Sequence, residues 1–321
     1  MGYKSIAGRE FGFDPASGDV LVNMSPVPFG IPRGFGRDIY LDSVTGSNNS
    51  TGRSPQEAKA TLAGAFAATR ANKGDRIIVL ETHAEAISAA TTLPATAAGV
   101  TVIGLGRGRN RGTFTLDTAN TAALTVPVDN VQFFNLRFVA NFLSIAACFV
   151  LTTAKGFRVQ GCKFMDTSSV LNFLNIVKST GAANTVDGLH LEDNSWNGLG
   201  TTSVNSFLLT ANDIDGLVLR GNRVKLARTA TAAVLATVTA GVLTDLICEE
   251  NTAISQQTAD TGGGFINVGG TTSTGLVRNN LLGDLSTTDL FMTTNVGLTF
   301  DANKKTGVIT ASAYLLPATD S

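Results

Sequence analysis

A nine-residue pattern that recurs seven times decides what this chain can fold into. The segments begin at Asn130, Gly156, Gly188, Gly216, Asp245, Thr274 and Gly297, 23 to 32 residues apart, and align without gaps. A period of this size implies stacked supersecondary units, each completed by its neighbours. The fourth position reads Phe133, Val159, Leu191, Leu219, Cys248, Val277, Phe300, and the second is equally apolar apart from Gly275. Side chains two apart share one face of a strand, so both columns predict interior. The sixth position reads Asn135, Gly161, Asp193, Gly221, Glu250, Asn279, Ala302. Gly, Asn and Asp tolerate left-handed backbone, which predicts a corner there. At the seventh position Asn194, Asn222, Asn251, Asn280 and Asn303 follow Leu136 and Cys162. Five asparagines one coil apart predict a buried ladder of stacked amides.

A second strand precedes most segments, at residues 149–151, 174–177, 207–209, 234–236, 265–268 and 290–292. Two strands per coil with no helix between them predict an all-β chain, a single-stranded right-handed parallel β-helix (β-solenoid). At ~4.8 Å per coil, roughly nine coils span about 40 to 45 Å. The low charged content of 15% and the 34 glycines fit a turn-rich β chain.

The ends read differently. Residues 1–37 are rich in Gly and Pro and predict an extended arm without regular structure, with Phe29 and Phe35 available for docking. Residues 38–76 hold an opening strand and one capping α-helix. Ser54, Pro55 and Glu57 suit the N-cap, first turn and capping box of a helix running to about residue 72. The β-helix occupies 77–305. A strand over 307–316, within the tail 306–321, closes the last coil.

A net charge of -1 gives no overall basic field, so neither nucleic acid nor membrane is an expected partner. Arg107, Arg109 and Arg111 read as a solvated basic loop. Cys148, Cys162 and Cys248 form no metal or disulfide spacing and read as buried thiols. The first residues carry no charged-then-apolar leader pattern, and the apolar stretch 232–243 is too short to span a membrane.

Carboxylates that could support acid and base work are Asp187 with Glu192 and Asp193, Asp213 with Asp215, and Glu249 with Glu250. Most fall at corners or in the fifth position, where Glu192, Arg220, Glu249, Arg278 and Asp301 alternate in sign and predict a surface charge ladder. His83 and His190 read as isolated loop or surface residues. No catalytic residue, cofactor or metal is therefore assigned, and the chain is read as a structural part rather than an enzyme. The outward third position holds Val218, Ile247 and Leu276, an apolar strip expected to contact another copy.

The run Asp38-Ile39-Tyr40-Leu41-Asp42-Ser43, then Gly46-Ser47, Gly52-Arg53-Ser54-Pro55, Gly74-Asp75-Arg76-Ile77-Ile78-Val79 and His83-Ala84-Glu85 resembles the opening module of tailed-bacteriophage proteins with a pectin-lyase-like β-helix. It covers about residues 38 to 87. The resemblance implies a virion structural protein, assembled in the host cytoplasm and often a homotrimer, that meets capsid or tail components. Capsid decoration or attachment is the expected role. A carbohydrate-binding or depolymerising tailspike or fibre that engages host surface glycan is the alternative.

Overall fold

The computed structural model describes residues 36–200, 206–227, 233–255, 264–270, 272–284 and 297–307, with the backbone of three short strands before them. The chain divides into two compact units, residues 1–33 and 34–321. In the first, Lys4–Ile6, Arg9–Phe13 and Val20–Val22 pair as an antiparallel sheet. These segments are not the extended, unpaired chain expected of an arm, since they pair in register with one another. Phe29 and Phe35 lie outside the described residues, as do the strand expected at 290–292 and the tail beyond 307.

The second unit is a right-handed parallel β-helix of about seven full turns, and each turn has three strands rather than two. The first sheet stacks ten strands, from Asp38–Leu41 to Leu298–Asp301. The second stacks nine, from Ala84–Ile87 to Lys304–Gly307. The third stacks seven, from Ala90–Thr92 to Ile266–Val268. The nine-residue repeat is a whole first-sheet strand, a corner, and the start of a second-sheet strand. The corner separates two strands that read as one in the sequence, so one strand per turn went uncounted.

Register follows the repeat. Phe133 pairs with Val159, then Leu191, Leu219, Cys248, Val277 and Phe300 in succession. The first five of these are fully buried. The corner residues Asn135, Asp193, Glu250, Asn279 and Ala302 all have φ between 49° and 59°, and Gly161 and Gly221 match them at 65° and 64°. A second left-handed corner opens six of the seven repeats, at Asn130, Gly156, Gly188, Gly216, Asp245 and Gly297. Gly275 interrupts the inward second column because a Cβ there would run into the Leu246 backbone.

Inside the corner the asparagines form a continuous chain of hydrogen bonds. Asn194 Nδ2 donates to Asn222 Oδ1 (3.1 Å), Asn222 to Asn251 (2.9 Å), Asn251 to Asn280 (2.9 Å) and Asn280 to Asn303 (2.9 Å). Each Nδ2 also donates to a main-chain carbonyl: Val159, Leu191, Leu219, Cys248 and Val277 in turn. Before the ladder starts, Cys162 N donates to Asn194 Oδ1 (2.9 Å). In the earlier coils aromatic rings fill the core instead. Phe114, Phe138 and Phe164 stack at centroid distances of 5.6 and 5.4 Å.

The helix is shorter than expected. Pro55–Glu57 is a single 3-10 turn, and Ser54 makes no side-chain cap. The α-helix is Leu62–Ala67, capped by Thr61, whose side chain accepts from Gly64 N. Between them Lys59 pairs with the opening strand, donating its N–H to the Tyr40 carbonyl and accepting from Asp42 N. That extended bridge stops one helix from covering both stretches. Leu62, Ala65 and Phe66 still reach the core beside the first strand.

Candidate functional site

Chemistry-bearing side chains concentrate on the outward face of the first sheet, where the third and fifth positions of the repeat emerge. Parallel register stacks His190 over Arg158 and Glu192 over Gln160, with Arg220, Glu249 and Arg278 in line beyond Glu192. Glu192 lies at the middle. His190 Nδ1 is 2.9 Å from Glu192 Oε1, and Arg158 Nη2 donates to the same carboxylate at 3.2 Å. Arg220 Nη1 stands 4.0 Å away on the far side. The Arg158 guanidinium lies 5.6 Å from the Phe134 ring centroid, and its Nε is buried without a partner.

These contacts fix protonation. The hydrogen bond from His190, with Arg158 and Arg220 beside it, holds the Glu192 carboxyl below the ordinary glutamate range. An ionised carboxylate only accepts, so His190 Nδ1 is the donor of this pair, and in the neutral tautomer that fits it Nε2 carries the lone pair. Glu192 is almost buried, while His190, Arg158 and Arg220 are each one-third to two-fifths exposed. The face thus offers solvent an imidazole flanked by guanidinium groups. Further along, Glu249 takes Arg220 Nε at 2.6 Å and Arg278 Nη2 at 2.7 Å, which closes the charge ladder.

The other candidate carboxylates do not converge on this place. Asp187 pairs with Lys155 (3.1 Å) and accepts from Asp215 N at the opposite corner. Asp193 turns at the asparagine corner and accepts from Gln160 Nε2. Asp213 accepts from Val242 N, and Asp215 pairs with Thr244 in a small two-stranded extension. Glu250 occupies a left-handed corner. Among the described residues no three His, Cys, Asp or Glu gather as metal ligands. An apolar cleft of about 240 Å³ between Phe66 and Pro94 presents no charged side chain.

Neither histidine is the isolated residue expected. His190 belongs to the couple with Glu192. His83 is buried against Phe114; its Nδ1 accepts from Ser43 N, and its Nε2 lies 3.2 Å from Glu85 without hydrogen-bonding alignment. On the apolar strip Val218 is nearly covered at 8% exposure and Leu276 is half-buried, whereas Ile247 stands at 37%. Asp166 was missed. It points inward from the second sheet, where Phe173 N, Leu199 N and Trp196 Nε1 donate to it, and burial pushes its carboxyl up to about 6. Its signal was a carboxylate in an inward column, aligned with Ala140.

No family model matches the chain, and no curated protein matches it in sequence. Among solved structures the β-helix is similar to a rhamnogalacturonan lyase, at 11% identity and a TM-score of 0.47 over 77% of this chain and 74% of that one. It is also similar to a GH136 lacto-N-biosidase from Eubacterium ramulus, at 10% identity and a TM-score of 0.21 over 85% and 68%. Both likenesses concern the fold and are too slight to carry an activity across. Beside a lyase and a glycosidase of similar fold, the expectation of a non-enzyme is corrected: fold does not decide activity, and sparse charge on a parallel β-helix is no ground for excluding catalysis.

Proposed function

We propose that this chain is a carbohydrate-active β-helix that binds an acidic polysaccharide across the outward face of its first sheet and cleaves it by β-elimination. The observation that carries the reading is the His190–Glu192 couple, 2.9 Å apart and flanked by Arg158 on a solvent-facing strand stack. Arg158 and Arg220 present N–H groups to a uronate carboxylate, which acidifies the neighbouring C–H. His190 Nε2 takes that proton, the electron pair becomes a carbon–carbon double bond, and the glycosidic oxygen at the β carbon leaves with a proton from water. Glu192 stabilises the imidazolium until it returns the proton to solvent.

The setting proposed is a tailed-bacteriophage spike or fibre, and its support is the sequence resemblance over residues 38 to 87. In that setting the Ile247 and Leu276 end of the same face meets another copy, and the His190 end remains open to glycan. Incubation with polygalacturonate, followed by ultraviolet absorbance of unsaturated uronate ends, tests the chemistry. Activity is expected in the parent protein and a loss of at least about 100-fold in His190→Ala. Absence of cleavage across a panel of uronate polymers, or full activity in His190→Ala, would refute it.

A further inference from the structure

The second sheet presents a face of a different character. Its two outward columns run in register from Ala84 and Ala86 to Lys304 and Thr306. They hold Arg137, Lys163, Arg223, Lys225 and Lys304, with neither an acidic nor an aromatic residue between them. Four of these five cations are exposed and Arg137 is half-buried. At the adjoining corner lies the loop of Arg107, Arg109 and Arg111. The Arg111 side chain crosses one coil, and its Nη1 donates to Gly161 O at 2.8 Å, bringing its charge beside Arg137 and Lys163.

No carboxylate lies within ion-pair distance of these cations among the described residues, although each arginine of the first-sheet ladder has one. The Nε atoms of Arg111 and Arg137 are buried without a partner. Glu81 lies beside Gly106, and Asp193 is already engaged by Gln160. Like charges on neighbouring strands repel, so Arg137 above Lys163 destabilises the bare surface unless an anion lies across it.

We propose that this face, from Arg111 to Lys225, is a second, non-catalytic track that holds an acidic glycan. The charge calls for a polyanion. Ser195 and Asn197 sit between the cations and supply donors and acceptors for sugar hydroxyls. The lack of aromatic side chains in both columns argues against single-stranded nucleic acid, whose bases require stacking platforms. The ligand class rests on the reading of the first-sheet face, but the track needs no cleavage to work.

The test is direct binding of polygalacturonate to the full chain by calorimetry in His190→Ala, which separates binding from turnover. Binding should weaken steeply with added NaCl. It should fall at least tenfold in Lys163→Gln/Arg223→Gln/Lys225→Gln and survive in Lys163→Arg, with circular dichroism unchanged in both. These substitutions lie on the solvent side of the sheet and leave the core intact. Failure of cleavage with salt-sensitive binding retained would sink the lyase reading alone. Equal binding by the glutamine variant, equal binding of neutral dextran, or tighter binding of oligothymidylate would overturn the track.

Discussion

The early and late coils of the β-helix keep register by different means. From Phe114 to Phe164 the second sheet stacks large rings in the core, and the column continues through Trp196 to Val224, Ala253 and Leu282. The amide ladder begins at Asn194, two residues before the last ring of that column, and runs on as the interior side chains shrink. Rings contribute mainly by area removed from water, which is large but weakly directional. Amides contribute less each, but their hydrogen bonds fix position along the strand. Where volume declines, direction takes over the task of alignment.

The comparison can be broken most severely in the early half. Phe138→Ala should cost about 3 to 5 kcal/mol, read as a lowered denaturant midpoint with unchanged slope. A smaller loss than that of any ladder substitution would reverse the ranking. Asn222→Ala removes the acceptor shared by the main-chain N–H and the Nδ2 of Asn194, and one donor to the Leu191 carbonyl. Each buried polar group left without a partner costs about 1 to 3 kcal/mol, so a total of about 2 to 4 is expected. A double-mutant cycle with Asn251→Ala sharpens the point. Coupling above about 0.5 kcal/mol marks a cooperative ladder, and simple additivity marks independent contacts.

Acid separates the halves by sign. Asp166 belongs to the early coils, and burial raises its folded value to about 6 from an ordinary 3.8. Its contribution is present at low pH and lost as pH rises through about 6. Relative to Asp166→Asn, the parent should therefore lose of order 2 kcal/mol between about pH 4 and 7. Glu249 lies in the late coils, where the Arg278 hydrogen bond, with Arg220 beside it, holds its carboxyl below the ordinary 4.5. Its contribution is present above that value and lost as pH falls below it. Relative to Glu249→Gln, the parent should weaken on acidification, by the smallest margin of the four. Thermal melts across pH check both, and parallel curves for parent and variant would remove either assignment.

What the sequence made legible was what repeats. Columns such as Leu191, Leu219 and Val277 announce the coil because each copy faces the same environment. Asn194 to Asn303 announce a corner for the same reason. Features that occur once were harder. The strands of the first and second sheets flank a single corner residue, so the pair reads as one strand in the sequence. The opening helix was overestimated because its cap residues were judged without the Lys59 bridge that extends the backbone between Glu57 and Thr61. The His190–Glu192 couple was hidden because its members sit in different columns, one read as isolated and the other as a rung of charge. They sit two residues apart on one face of a single strand, which is what joins them.

The asparagine ladder has a direction: each Nδ2 from Asn194 to Asn280 donates to the Oδ1 of the following coil. Coils are therefore interchangeable at that corner. Residues 222–250 form one circuit, since Asn222 and Asn251 are 29 positions apart. Their removal would join Gly221 to Asn251 and bring the Asn251 amide oxygen to the donors of Asn194. The body behaves as a one-dimensional crystal whose unit cell is a coil, with each finished layer seeding the next. Its length is then free to change by whole layers through duplication or excision, while the outward faces on its flanks are lengthened or shortened in the same steps.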